Sequence, residues 1–366
     1  MKKISRRSFL EASVLTAAAL GLAGCGAASS AAASSSAASA ASSGAAASSG
    51  AASAAAAGKA FKVGIVNYVD DASLNQIVAA VEAELDVQGK KAGCTFDYGK
   101  YYSNAQADQS NLNQIASDLI ADKVDAIVAV ATPTALVMQN ATESNGIPVI
   151  YAAVSDPEGA GLTGADNVTG TSDALDTNTV MKLILAARPD AKTIGLLYDL
   201  SQDSSKQAIA DAKAFCDANG LKSVESTGTT TSEILQAAES LVAAKVDAVF
   251  TPTDNTVMTA ELTIYETLAK AGIPHFAGAD SFALNGAFCG FGVDYEQLGT
   301  ATGDLVAQVL CDGVKPGDIA FETFDNGIAT VNTDICTELG YDLATIKTAF
   351  APFCTSVQEI KTAESF

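Results

Sequence analysis

The sequence predicts an α/β protein of two similar lobes, each with a parallel sheet, behind a long N-terminal segment that lacks a globular core. Three observations predict this fold class. The 366 residues suit two domains of about 150 residues each. Short β-branched runs alternate with amphipathic helical stretches from Phe61 onward, a pattern typical of parallel βαβ units. Finally, three short motifs of the first half recur in the same order in the second.

The first 24 residues predict an export signal. Four basic residues precede the apolar stretch 12–24, which is too short to span a bilayer. It ends in Leu22-Ala23-Gly24-Cys25, which resembles the lipobox of bacterial lipoproteins and implies cleavage before Cys25 and a lipid on its thiol. Ser5-Arg6-Arg7-Ser8-Phe9-Leu10 resembles the twin-arginine export motif, but Glu11 replaces the usual Lys, so the ordinary secretion route stays open. We therefore expect residues 1–24 to be a signal peptide and the mature protein to be anchored outside the cytoplasm of a bacterium.

Residues 25–59 predict a tether that begins with the lipidated Cys25. The stretch 26–58 contains only Ala, Ser and Gly, which offer nothing large to bury and span roughly 30 Å as a flexible coil. Removal of the signal takes away four basic groups and one acidic group, which moves the net charge from −21 to −24. A surface this acidic repels phosphate backbones, so we expect no nucleic-acid partner. We also expect the protein to contact the membrane through its lipid and to be a monomer.

The first half of the globular part predicts four strands that alternate with three helices. The β-branched runs mark the strands and the wider apolar periodicity marks the helices. In chain order we expect a strand at 62–66, a helix at 74–90, a strand at 95–101, a helix at 108–121, a strand at 126–130, a helix from Thr134 and a strand at 148–152.

The second half repeats this order, with a strand at 192–197 and helices at 204–218 and 231–244. The similarity reaches individual residues. Lys123-Val124-Asp125-Ala126-Ile127-Val128 recurs as Lys245-Val246-Asp247-Ala248-Val249-Phe250, Thr132-Pro133-Thr134 as Thr251-Pro252-Thr253, and Gly146-Ile147-Pro148 as Gly272-Ile273-Pro274. Three matches in the same order predict two lobes of one architecture.

Polar residues cluster in the loops that follow the predicted strands. Parallel sheets bind ligands at the carboxyl ends of their strands, so two facing lobes would enclose a cleft lined by these loops. The candidate ligand-binding residues are Asn67, Tyr68, Thr132, Thr134, Ser155 and Asp156 in the first half, and Asp199, Ser204, Thr253, Asp254, Asn255 and Asp280 in the second.

These loops resemble the substrate-binding lipoproteins of ABC importers, in the branch that includes tryptophan- and tyrosine-binding proteins. The resemblance covers about residues 61–325 and is most specific from Ser155-Asp156-Pro157 to Asn167-Val168-Thr169-Gly170. It also rests on Asn67-Tyr68-Val69-Asp70, Ala131-Thr132-Pro133-Thr134-Ala135, Ala160-Gly161-Leu162 and Thr253-Asp254-Asn255. The resemblance implies capture of a small amino acid, with an aromatic one favoured, and its delivery to ABC permease subunits. One departure concerns the second-half loop, where Gln202 replaces the negative charge that the family usually carries, so the ligand itself stays open.

The same resemblance implies a periplasmic-binding protein fold of type I, with two Rossmann-like lobes joined by three hinge crossings. The crossings would fall near Thr169-Gly170, Gly292-Val293 and Phe321. The N-terminal lobe would then comprise residues 60–169 and 293–321, with a helix at 295–309 packed on it. The C-terminal lobe would comprise residues 170–292 and 322–366.

The scarcity of Arg limits how the cleft can hold an amino acid. Arg188, the one Arg of the mature chain, precedes a strand and should face away, so a ligand carboxylate needs hydroxyls and helix N-termini. Thr132 and Thr134 suit that role, although each equally suits an N-cap. Asp254 is our candidate for the ligand ammonium, with the same alternative. Without Trp, aromatic contact must come from residues such as Tyr68, Tyr198 and Phe282.

Little in the sequence supports an enzyme, a metal site or a cofactor. His275 is the single His, and no Cys pair has CxxC spacing. Gly159-Ala160-Gly161-Leu162-Thr163-Gly164 matches the dinucleotide fingerprint but lacks the strand before it and the helix after it. We therefore expect a binding protein, and keep open another small solute, such as a sugar or nucleoside, and a surface sensor or adhesin on the same fold.

Six Cys remain once Cys25 carries a lipid, an even number that permits disulfides outside the cell. They are Cys94, Cys216, Cys289, Cys311, Cys336 and Cys354. Their spacing leaves the connectivity open, and Cys336 with Cys354 is the first pair to test.

Overall fold

A computed structural model of the protein describes residues 58–363. The predicted signal peptide, Cys25 and nearly all of the tether lie outside these residues. Within them, none of the helices is both long and apolar enough to cross a membrane.

The first sheet contains seven strands that are all parallel. From edge to edge they are Glu322–Thr323, Val168–Ser172, Val149–Ala152, Ala126–Val130, Ala60–Asn67 and Thr95–Asp97, with Tyr102–Asn104 also paired to Ala60–Asn67. The expected single strand 95–101 is thus two short strands. The chain turns between them, so that the first pairs with Ala60–Lys62 and the second with Ile65–Asn67, while the turn residue Tyr101 is buried.

The second sheet also has seven strands, in the order Ser356–Ile360, Ile328–Asn332, Cys289–Gly292, His275–Ala277, Ala248–Thr251, Thr193–Tyr198 and Lys222–Thr227. All neighbours are parallel except Cys289–Gly292 and Ile328–Asn332. The predicted α/β fold with two parallel-sheet lobes is confirmed.

Helices cover the faces of both sheets. They span Ala72–Ala92, Gln109–Ala121, Thr132–Thr142, Thr177–Ala187, Asp203–Ala218, Thr231–Ala244, Asn255–Lys270, Asp280–Leu284, Tyr295–Leu310, Thr333–Glu338 and Leu343–Phe350, with a 3₁₀ turn at Pro316–Asp318. Most begin at a side-chain cap, as where Thr230 accepts the backbone N–H of Glu233.

The internal repeat has a structural basis. Asp125 accepts the backbone N–H of Lys62, and Asp247 accepts that of Lys192, each at 2.8 Å. Each Asp thereby fixes the first strand of its own sheet from the loop before a neighbouring strand, Ala126–Val130 in one lobe and Ala248–Thr251 in the other. The preceding Lys123 and Lys245 end their helices at φ 54° and 56°. Equivalent residues therefore make the same contacts in both lobes.

The chain passes between the two sheets three times. It leaves the first sheet after Ser172, returns at Val293 before the helix Tyr295–Leu310, and leaves again after Thr323. The first and last crossings lie a few residues beyond the expected positions, because the strands Val168–Ser172 and Glu322–Thr323 both pair within the first sheet.

The returning helix Tyr295–Leu310 packs on the helix Ala72–Ala92 through two glycines. A Cβ on Gly299 would lie 2.6 Å from the carbonyl oxygen of Ile77, and one on Gly303 would lie 2.7 Å from the Cβ of Glu84. The two helices therefore approach more closely than any larger side chain at these positions allows.

We expect Gly299→Ala to destabilise the protein by about 1–3 kcal/mol, because the added methyl group meets backbone that cannot move without separating the helices. Urea unfolding would measure the change. Gly99→Ala is the matched control, since a Cβ there meets nothing within 4 Å, and its effect should stay within about 0.5 kcal/mol. Equal effects of the two substitutions would show that close helix packing is not the constraint at Gly299.

Candidate functional site

A cavity of about 30 Å³ lies between the carboxyl ends of the two sets of strands. Its walls come from both lobes and from the hinge. The lining residues are Asp71, Ser73, Leu74, Ala131, Thr132, Ala153, Ser155, Asp173 and Tyr295 on the side of the first sheet, and Ser204, Thr253, Asn255, Met258, Ala279 and Phe282 on the side of the second. A volume of this size holds about two water molecules.

The two walls touch directly at two places. The hydroxyl of Ser73 donates to Oδ1 of Asp280 at 2.6 Å, and the hydroxyls of Ser155 and Thr253 lie 2.7 Å apart. In both pairs one residue belongs to each lobe. Polar groups thus hold the lobes together around the cavity.

Unpartnered hydroxyls collect at one part of the site. Thr132 and Thr134 open the helix Thr132–Thr142, and Ser204 lies in the first turn of Asp203–Ala218 in the other lobe. All three side chains are buried, and none of their oxygens has a hydrogen-bond partner. Helix N-termini with free hydroxyls form a favourable environment for an anion.

Two buried carboxylates provide an environment that is favourable to a cation. Asp71 caps the helix Ala72–Ala92, and its Oδ1 accepts the backbone N–H groups of Ser73 and Leu74 at 2.9 and 3.2 Å. Burial raises the pKa of Asp71 to about 6, and the nearby charge of Asp280 adds to the rise. Its hydrogen bonds oppose the shift but do not offset the loss of solvent.

Asp173 is the second of these carboxylates and lies at the first hinge crossing. It accepts the hydroxyl of Ser155 at 2.9 Å, and the phenol of Tyr295 at the second crossing lies beside it. Burial raises the pKa of Asp173 to about 6. Burial, together with the charges of Asp173, Asp280 and Asp71, raises the pKa of Tyr295 well above its usual value, so the phenol remains a donor.

None of the cavity-lining residues is basic. Arg188 follows the helix Thr177–Ala187, where its Nη1 donates to the carbonyl oxygen of Gly272 at 3.2 Å. It lies outside the lining, as expected from the sequence. A ligand that brings its own positive charge would therefore meet carboxylates without competition from a protein cation.

Apolar side chains form the rest of the wall. Leu74, Met258 and Phe282 are the large ones, and the ring of Phe282 packs edge to face on His275 with centroids 6.4 Å apart. Ala131 and Ala153 line the cavity at φ 77° and 55°. Positive φ strains a residue with a Cβ, and such strain is concentrated at binding sites.

The structure brings part of the predicted ligand set together. Thr132, Ser155, Ser204, Thr253 and Asn255 line the cavity. Asp280 contacts the lining residue Ser73, and Thr134 lies just behind Thr132. Tyr68 instead lines a more open pocket of about 300 Å³, which shares Thr132 with the cavity and includes Ser201 and Gln202 of the other lobe.

Asp254, predicted to hold the ligand ammonium, forms hydrogen bonds within its own lobe. Its Oδ1 caps the helix Asn255–Lys270, and its Oδ2 accepts the backbone N–H of Asp199 at 2.8 Å and the hydroxyl of Ser205 at 2.6 Å. It lies outside the cavity lining. Asp254 organises its loop because both of its oxygens are taken by protein donors.

Other predicted residues also serve their own loops. Asp199 accepts the N–H and hydroxyl of Ser201 and the hydroxyl of Thr256. Asp156 accepts the N–H of Gly159 within a turn, and Asn67 donates to Asn75 at 3.0 Å. All three of these predicted residues lie outside the cavity lining.

Sequence reasoning missed Asp71, Asp173, Met258 and Tyr295. Asp173 directly follows the strand Val168–Ser172, and Asp71 ends the loop after Ala60–Asn67, so their position behind strand ends was a usable signal. Met258 and Tyr295 lie on helices. No local pattern marks a helical residue as part of a cleft between lobes.

Comparison with known proteins assigns the chain to a family. The sequence pattern of the family "ABC transporter substrate binding protein" matches residues 62–346 of this chain. The chain belongs to this family. Membership implies an extracytoplasmic location, a small-molecule ligand and ABC permease partners. Among residues 58–363, no group of three or more His, Cys, Asp or Glu side chains could hold a metal ion.

Several relatives of this substrate-binding protein are known. A tyrosine-binding protein of Clostridioides difficile is 34% identical over 281 residues, which cover 75% of this chain and 80% of the relative. A solved domain from Streptococcus pneumonia in complex with L-Trp is 31% identical, with a TM-score of 0.73 over 81% of this chain and 99% of that one. The predicted resemblance to this branch is confirmed.

A third relative differs in its conformation. The ligand-free, open structure of a Clostridium difficile substrate-binding protein with adhesive properties is 32% identical and covers 83% of this chain and 100% of that one. Its TM-score is 0.61, against 0.73 for the L-Trp complex of almost equal identity. This substrate-binding protein thus resembles the liganded relative more than the open one, in accord with its direct contacts between lobes.

Asp173→Asn should stabilise the free protein at pH 7 by about 1–3 kcal/mol and have almost no effect near pH 4. The folded-state pKa of about 6 exceeds the unfolded value of 3.8, so the folded state binds the extra proton between these pH values. The stability that Asp173 contributes is therefore present below pH 3.8 and lost as the pH rises through 6. Urea unfolding of both proteins from pH 4 to 8 would measure the difference, and an advantage that is independent of pH would contradict it.

Proposed function

We propose that the protein captures an aromatic amino acid in the cavity between its lobes and presents it to an ABC permease. The observation that carries this proposal is the pairing of unpartnered hydroxyls at two helix N-termini with the buried carboxylates of Asp71 and Asp173. The tyrosine-binding relative and the L-Trp complex support the ligand class.

The ligand carboxylate would lie at the hydroxyls of Thr132 and Ser204, one from each lobe. Thr134 lies two residues further along the same helix. Neutral donors and two helix dipoles would hold the charge in place of Arg. This retains the role predicted for Thr132 and Thr134 and adds Ser204 as the partner across the cleft.

The ligand ammonium would lie between Asp71 and Asp173. Both carboxylates are buried, and a cation there would lower their raised pKa values by favouring the ionised forms. Tyr295 lies beside Asp173 in the cavity lining, so its phenol would be available to the same part of the ligand. The ligand side chain would then contact Leu74, Met258 and Phe282.

Binding requires the lobes to move apart. The cavity of about 30 Å³ is far smaller than the several hundred Å³ typical of ligand pockets. A ligand would replace the contacts Ser73–Asp280 and Ser155–Thr253 with bonds to itself. The three crossings provide the hinge, and a ligand with greater affinity for the closed lobes shifts the equilibrium toward them.

We further propose that the mature protein is a monomeric lipoprotein held at the membrane by a lipid on Cys25, and that it binds its ligand without chemical change. The lipobox-like sequence and the Ala, Ser and Gly tether support the anchor. Mass spectrometry of the membrane-extracted protein would detect the lipidated N-terminal peptide.

Calorimetric titration with L-Trp, L-Tyr and L-Phe tests the ligand class. We expect at least one of them to bind at micromolar concentration or below. Thr132→Val and Ser204→Ala should each weaken binding about 10- to 100-fold, the effect of one lost hydrogen bond to a charged group. Thr330→Val is the matched control, because Thr330 also has a buried, unpartnered hydroxyl but lies in the second sheet. Tight binding of a sugar or nucleoside, with no binding of these amino acids, would overturn the proposal.

The affinity should also fall as the pH drops below about 6. Protonation of Asp71 and Asp173 removes the charges that attract the ammonium, whose own charge persists across this range. Titrations at pH 5 and 7.5 with wild type and with Asp71→Asn would measure the effect, which the variant should reduce. An affinity equal at both pH values would argue against an ammonium at these carboxylates.

Adhesion is a second candidate function, favoured by the relative that is described as having adhesive properties. The long tether would present the lobes away from the cell surface. A cell-adhesion assay with the wild-type protein and with Ser204→Ala would distinguish the two functions, since adhesion through an outer surface should not depend on the cavity.

A further inference from the structure

Two cysteine thiols meet in the first lobe at the end remote from the cavity. The Sγ atoms of Cys94 and Cys311 lie 3.4 Å apart, and both side chains are buried. They form a small apolar cluster with Phe61. The sequence singled out Cys336 with Cys354 instead. All six cysteines of residues 58–363 are free thiols in the structure, but Sγ of Cys336 donates to the carbonyl oxygen of Tyr341 at 3.7 Å rather than facing Cys354.

The two cysteines lie at the C-terminal ends of two helices that both begin at the cavity. The helix Ala72–Ala92 follows the cavity residue Asp71 and is ended by Gly93, directly before Cys94. The helix Tyr295–Leu310 begins with the cavity residue Tyr295 and is capped by Cys311. These helices therefore run side by side from the cleft, in close contact at Gly299 and Gly303, and their far ends meet at the thiol pair.

We propose that Cys94 and Cys311 form a disulfide in the exported protein, which joins the two chain segments of the first lobe. The extracytoplasmic location implied by the family is the compartment in which disulfides persist. One segment precedes the second lobe and the other returns from it, so the bond would keep the returning helix in place when the hinge moves.

The bond would form by thiol–disulfide exchange with an oxidising disulfide reagent or exchange catalyst. One deprotonated cysteine attacks a sulfur of that disulfide, whose S–S bond breaks and releases one thiolate. The second deprotonated cysteine attacks the mixed disulfide, so the Cys94–Cys311 bond forms and a second thiolate leaves. The cysteines lose two electrons to the reagent, and their two protons end on the released thiols.

The local chemistry indicates when this exchange takes place. Burial and the adjacent Cys94 raise the pKa of Cys311 to about 12, so this thiol rarely ionises in the folded protein, and both thiols are shielded from reagents by burial. The bond would therefore form during folding. It would close a loop of 217 residues that contains most of the second lobe, and so restrict the unfolded chain strongly.

Peptide mapping of the full chain tests the proposal. The protein is refolded with a mixture of oxidised and reduced glutathione, its remaining thiols are alkylated, and it is digested without reduction. We expect mass spectrometry to find the Cys94 and Cys311 peptides joined and lighter by two hydrogen atoms than the separate peptides. Alkylation of both cysteines, or a different partner for either, would overturn the proposal.

Thermal unfolding gives an independent readout. The oxidised protein should unfold about 5–10 °C above the same sample after reduction. Cys94→Ala and Cys311→Ala should each abolish this difference, whereas Cys216→Ala should retain it, because Cys216 is equally buried and has no sulfur partner within residues 58–363. A difference that survives in Cys94→Ala would contradict the assignment. If these variants fail to fold, the wild-type peptide map decides the question alone.

Discussion

The hydrogen-bonded carboxylate of Asp173 is the contact on which the site depends. It directly follows the strand Val168–Ser172 at the first crossing and lies beside Tyr295 at the second. Its donor, Ser155, contacts Thr253 of the second lobe. One buried group thus connects two hinge segments and both walls of the cleft, so a change at the ligand site is communicated directly to the segments that must move.

Much of the fold was predictable because it depends on local signals. The strand Ala126–Val130 and the helix Thr231–Ala244 have the expected bounds, since a buried β-branched run defines the first and the Thr230 cap begins the second. The strand expected at 95–101 was wrong in its extent. This segment has the composition of a strand. It pairs with Ala60–Asn67 in two short stretches that differ in register, and register depends on the partner strand.

The site was less predictable, and the carboxylates show why. Asp71 and Asp254 both follow a strand and both cap a helix, so the sequence treats them alike. Asp71 reaches the cavity, whereas Asp254 is enclosed by Asp199 and Ser205 of its own lobe. The difference arises from the way in which the lobes meet. Tyr295 belongs to the site for the same reason, because its helix directly follows the second hinge crossing and therefore begins at the cleft.

The absence of a basic residue from the cavity lining connects stability with function. Two carboxylates buried there disfavour the closed lobes when ionised, because each loses solvent without gaining a protein counter-ion. A ligand ammonium would supply that counter-ion, and its carboxylate would satisfy the hydroxyls that the protein leaves unpartnered. The favourable free energies of these two interactions, ammonium with carboxylates and carboxylate with hydroxyls, are obtained together only when the lobes close on a zwitterion. Closure is therefore favoured by the ligand that completes the site, which is the selectivity that a permease needs to distinguish loaded from empty protein.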